Sequence, residues 1–67
     1  MSTPEARTAI RSAIRAKGNT LGLTFSAIES CVDLGIVLNG LGADQAESIR
    51  RACQMADVIA KESEMAL

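Results

Sequence analysis

The sequence predicts an all-α fold: a short N-terminal amphipathic helix followed by a long antiparallel helical hairpin, dimerising into a four-helix-type bundle. Three observations predict it. Apolar residues recur at spacings of three and four along most of the 67-residue chain, the period of one helix face. Start and stop residues divide that run into three pieces. Large aliphatic side chains crowd into residues 21–41, more than so short a chain is expected to cover unaided.

The first helix is expected over 4–17. Thr3 suits the N-cap and Pro4 the first helical position, where a missing N–H costs nothing. Ala6, Ile10, Ala13, Ile14 and Lys17 form one stripe, and Arg7, Arg11 and Arg15 a second. Gly18-Asn19 reads as the stop. Thr20 then caps a second helix, expected over 20–38 and ending at Asn39-Gly40. Its apolar residues cover most of its circumference, the mark of a buried helix; Ser26, Glu29, Ser30 and Asp33 are its polar edge. A third helix is expected over 44–65, opened by Asp44 with Glu47 three residues on, a capping-box variant. Glu47–Arg51 and Asp57–Lys61 are acid-before-base pairs one turn apart on its outer face.

Folding the hairpin about residue 42 sets Ile28 against Ala56, Gly35 against Ile49, Phe25 against Ile59, and Cys31 level with Cys53. Large residues then face small ones, as interdigitating layers require. The expected core or self-association residues on the second helix are Phe25, Ile28, Val32, Leu34, Ile36, Val37 and Leu38. Ile49, Ala52, Ala56 and Ile59 complete them on the third. No internal repeat is read in the chain.

Composition narrows the function. There is one aromatic residue, Phe25, and 11 alanines, a thin core for a domain that buries only about 60% of its unfolded surface. Such a chain usually needs a staple, a metal or a partner, so a homo-oligomer, a dimer, is expected. Charge is polarised. Arg7, Arg11, Arg15 and Lys17 oppose Glu5 in residues 1–17, a net +3; the remainder holds three bases and seven acids, a net −4. That polarity can steer a partner but falls short of a strongly basic duplex-DNA binder.

Catalytic parts are missing. There is no histidine to act as a base near neutral pH, and no glycine-rich phosphate loop with its strand and lysine. Two cysteines do not complete a tetrahedral zinc site. Neither enzyme activity, metal nor cofactor is expected. The N-terminus shows no apolar signal segment, and the longest uncharged stretch, Gly18–Ile28, is too short for a bilayer. A cytoplasmic location without membrane association is the expectation, with Cys31 and Cys53 read as small buried apolar residues and a disulfide between them as the alternative.

Two local resemblances bear on these readings. Residues 34–42, Leu-Gly-Ile-Val-Leu-Asn-Gly-Leu-Gly, resemble the exiting helix and linker of a calmodulin-type EF-hand. The corresponding loop positions hold Gly22, Thr24 and Ser26, with Ala27 at the turn glycine, so the calcium ligands are absent. Residues 38–46, Leu-Asn-Gly-Leu-Gly-Ala-Asp-Gln-Ala, resemble the interhelix turn of the Rop family of plasmid copy-number hairpin proteins. That resemblance implies a homodimeric four-helix bundle. It carries over no RNA-binding face, because the second helix has no Lys or Arg.

The functional expectation is a non-enzymatic protein–protein interaction module or small regulator that binds a larger protein as a homo-oligomer. Arg7, Arg11 and Arg15 are the candidate partner-binding residues, since guanidinium groups suit carboxylates and phosphates. One alternative is a nucleic-acid-binding regulator using that stripe; a second is a small-ligand-binding bundle.

Overall fold

The computed structural model describes residues 3–65. These form three helices: α1 (Pro4–Thr20), α2 (Phe25–Gly40) and α3 (Gln45–Met65). Each packs on both others, giving a rod of 40 × 16 × 16 Å. α1 and α2 lie against each other, with Gly18 meeting Ile28 near the first turn and Ile10 and Ile14 meeting Gly35 further from it. The N-terminal helix is thus a full wall of the bundle.

The start of α1 follows local chemistry. Thr3 Oγ1 accepts the Ala6 N–H at 3.0 Å, and Pro4 holds the first helical position. Asp44 opens α3 the same way, its Oδ1 accepting the Glu47 N–H at 2.7 Å.

The end of α1 and the start of α2 differ from expectation. Gly18 does not stop α1. It is buried inside the helix because a β-carbon there would land on the Ile28 side chain. Thr20 does not cap α2; its hydroxyl donates to Ala16 C=O at 3.0 Å within α1. The stop is Gly22, at φ +73°. The cap is Thr24, whose Oγ1 accepts the Ala27 N–H at 3.2 Å. Thr24→Ala is therefore expected to cost about 1 kcal/mol. Thr20→Ala, which removes no cap, should cost far less; urea unfolding followed by circular dichroism separates the two.

This turn recurs. Asn19-Thr20-Leu21-Gly22-Leu23-Thr24 and Asn39-Gly40-Leu41-Gly42-Ala43-Asp44 lie twenty residues apart, so the chain does hold a short internal repeat. Gly22 N–H donates to Asn19 C=O and Leu23 N–H to Gly18 C=O; Gly42 and Ala43 do the same to Asn39 and Leu38. Both are Schellman turns, closed by a glycine of positive φ and followed two residues later by the next N-cap. In the second turn, the buried Asn39 donates from Nδ2 to Ala43 C=O at 3.0 Å; its Oδ1 has no hydrogen-bond partner.

The core is Ile10, Ile14, Ile28, Cys31, Val32, Ala52 and Ala56, with Ile36, Ile49 and Ile59 packed half-buried against it. Two of its largest members, Ile10 and Ile14, come from α1 and were not among the expected core residues. Their insertion explains why Gly35, expected opposite Ile49, has Ile10, Ile14 and Ala52 as nearest neighbours. Phe25 is not core: it is the first residue of α2, directly after the first turn, and is 75% exposed. Val37 is 55% exposed, on the side of α2 turned away from the core.

The outer-face ion pairs also differ. Glu47 takes Arg50 at 3.4 Å and Asp57 reaches across to Lys17 of α1 at 3.3 Å. Both pairs are well exposed, so each contributes little to stability; Lys17–Asp57 chiefly marks the α1–α3 seam.

Candidate interaction surface

Arg15, the last residue of the arginine stripe, lies on the α1–α2 seam. Arg15 donates from Nη2 and Nε to Glu29 Oε1 at 3.0 and 3.3 Å, so its charge is met within the chain. Arg7 and Arg11 are half-buried. The polar edge of α2 thus supplies Glu29 to Arg15.

The apolar excess of α2 has a different fate. Ile28, Cys31, Val32 and Gly35 point inward. Leu34, Val37, Leu38 and Leu41 follow at i, i+3, i+4 and i+7, one stripe of a helix. None belongs to the core or packs directly on it. Leu34 and Leu38 are half-buried, while Val37 and Leu41 are 55% and 80% exposed. The helix is apolar on two sides, and the bundle covers one.

Other features offer less chemistry. A cleft of about 340 Å³ separates the first turn from the end of α3, lined by Leu21, Leu23, Ala27, Ile59, Ala60 and Ser63 among others. Its lining is mostly apolar, with Thr24, Ser63 and Glu64 the polar side chains. Among the described residues, no three His, Cys, Asp or Glu side chains gather to hold a metal ion, and no helix is long and apolar enough to cross a membrane.

Cys31 is buried, Cys53 half-buried, and both are free thiols. Burial pushes both thiols above their ordinary range. Cys53 raises Cys31 further; nearby Lys17 partly offsets the shift at Cys53, and Asp57 adds to it. The thiolate is the reactive form, so slow alkylation is expected. At pH 8 iodoacetamide should modify Cys53 more slowly than free cysteine and Cys31 only on unfolding. A fast-reacting Cys31 in the folded protein contradicts this burial. The same shifts set a sign for stability. It is unaffected while both states hold neutral thiols and falls as pH rises through the thiol range, because the unfolded chain ionises first.

Comparison with family models, with curated proteins and with solved structures finds no match to this chain. What fold and surface define is a class: a small three-helix bundle whose middle helix leaves an apolar stripe outside the core.

Proposed function

We propose that the chain is a non-enzymatic protein–protein interaction module, a small regulator that binds a larger protein and acts as a homo-oligomer. One observation carries the reading: Leu34, Val37, Leu38 and Leu41 form an apolar stripe that the chain's own core does not use. Exposed apolar residues contiguous along one face mark interaction sites far more often than single exposed residues do. The arginine stripe supports the nucleic-acid alternative less, because Arg15 is already matched by Glu29.

Light scattering on the purified chain tests self-association: a mass above the 7.0 kDa of one copy is expected, and a well-folded monomer in dilute solution defeats it. Binding to a larger protein is tested with wild-type and Val37→Glu/Leu41→Glu chains as paired baits in a host extract. Any protein retained only by wild type is then purified and titrated directly. Equal retention on both baits counts against the stripe as the binding face.

A further inference from the structure

We infer that Asn39-Gly40 is a self-modification site: the closed second turn holds off deamidation of Asn39, and the product of that reaction keeps the turn from closing again.

The chain has two asparagines, and the internal repeat sets them at the same place in its two turns, Asn19 before Thr20 and Asn39 before Gly40. The following residue decides between them. Deamidation begins when the backbone nitrogen of that residue attacks the asparagine Cγ. Glycine puts no β-carbon beside the attacking nitrogen and leaves the backbone free to reach the geometry. Thr20 is β-branched and stiff. In an unfolded chain Asn39 is therefore the faster site.

The fold reverses the order of access. Asn19 is exposed and Asn39 is buried. Nδ2 of Asn39, the group that must leave, donates to Ala43 C=O at 3.0 Å. Gly40 is the last residue of α2, and a helical N–H points back along the helix to the carbonyl four residues earlier, away from its neighbour's Cγ. Gly42 N–H on Asn39 C=O at 3.2 Å and Ala43 N–H on Leu38 C=O at 3.0 Å brace the same stretch. Attack requires the turn to open, so the rate in the folded chain follows the open fraction.

The reaction needs only water. The Gly40 nitrogen gives up its proton and bonds to Asn39 Cγ. The bond from Cγ to Nδ2 breaks, and Nδ2 takes up a proton and leaves as ammonia. The resulting succinimide ring adds water at either carbonyl, and the bond from that carbonyl to the ring nitrogen breaks. Aspartate or isoaspartate remains, and nothing is oxidised or reduced.

Neither product fits the closed turn. A carboxylate has no hydrogen to give Ala43 C=O, so two oxygens would face each other where a hydrogen bond stood. Asn39 Oδ1 has no hydrogen-bond partner, so no donor is in place to receive the negative charge. The site is buried at the C-terminal end of α2, where burial and the helix dipole both disfavour an anion. Isoaspartate also adds a methylene to the main chain at the residue whose carbonyl takes the Gly42 N–H. Opening permits the step, and the product preserves the opening.

The test incubates the full chain at pH 8 with a thiol reductant, in buffer and in guanidinium chloride. Both asparagines fall in the tryptic peptide 18–50, so fragment ions assign the converted residue. In denaturant, conversion should appear at residue 39 before residue 19, and Gly40→Ala should slow it. In buffer it should be at least about tenfold slower, because the open fraction is small. Asn39→Asp should unfold at lower urea than wild type. Wild-type chains converted in denaturant and returned to buffer should recover less helix by circular dichroism than chains returned at once, a readout that does not depend on the variant folding. Conversion as fast in buffer as in denaturant overturns the gating, and residue 19 reacting first overturns the site. Full recovery of helix by converted chains, or a wild-type urea midpoint for Asn39→Asp, overturns the one-way release.

Discussion

Ile14→Ala is expected to lower stability by about 3 kcal/mol, near the middle of the range for truncating a fully buried large aliphatic residue. Ile14 has no exposed surface, and its Cδ1 would lie 2.6 Å from a β-carbon built on Gly35. What faces it is therefore bare backbone. A cavity opened there has no neighbouring side chain at residue 35 to swing in, and a site that cannot collapse keeps its full cavity cost. A chain of this length has a total stability of only about 3–10 kcal/mol, so the loss is a large share of it. In a domain of this size it corresponds to roughly 12–24 °C in Tm, read by thermal melting.

The glycine makes this packing testable from the other side. Gly35→Ala inserts a methyl 2.6 Å from Ile14 Cδ1 and 2.9 Å from Ile10 Cγ2, so it should destabilise wild type. In the Ile14→Ala background the tighter clash is gone, and the same substitution should do less harm. Residues in contact couple in this way and distant ones add. Additive effects, or a loss below about 1 kcal/mol for Ile14→Ala, contradict the core as described.

Much of the fold is legible in the sequence because its signals are local. Thr3-Pro4 and Asp44 announce helix starts through their own backbone neighbours, and the three periodic runs need only the helical period. Gly18 and Thr20 mislead because their local chemistry suits two outcomes. A glycine stops a helix or admits a neighbour, and only the position of Ile28 decides which. The decisive signal is present but non-local: Asn-x-Leu-Gly-x-Thr/Asp occurs twice, twenty residues apart, and its glycines, Gly22 and Gly42, are the two stops, where Gly18-Asn19 and Asn39-Gly40 are the local candidates. For the same reason the arginine stripe looked like a free surface. Glu29 lies fourteen residues from Arg15 in sequence and 3.0 Å away in the fold. That α2 is apolar on two sides could be read directly. Which side turns inward could not, because Ile10 and Ile14 of α1 choose it.

Gly18→Val is expected to cost about 2–3 kcal/mol, within the usual range for overpacking a core. The sign is the informative part. Gly18 sits within α1 at an ordinary helical φ, since the positive-φ residues are Gly22 and Gly42. Propensity alone says that replacing a glycine inside a helix by alanine stabilises by about 1 kcal/mol. Packing says the opposite. A β-carbon at residue 18 falls on Ile28 Cγ1, lies 3.0 Å from its Cδ1 and is 3.4 Å from its Cβ. The overlap reaches the root of that side chain, so rotating its end does not clear it, and α1 and α2 must move apart. Gly40 provides the internal comparison. It is the last residue of α2, and a β-carbon there meets nothing within 4 Å. Gly40→Ala should accordingly raise stability by about 0.5–1 kcal/mol. Urea midpoints at constant m-value report both changes. Opposite signs at the two sites are the outcome that separates a glycine kept for close helix approach from one that is not. If Gly18→Val leaves the midpoint unchanged or raises it, the α1–α2 seam is not as tight as Ile28 requires, and α1 loses its place as a structural wall of the bundle.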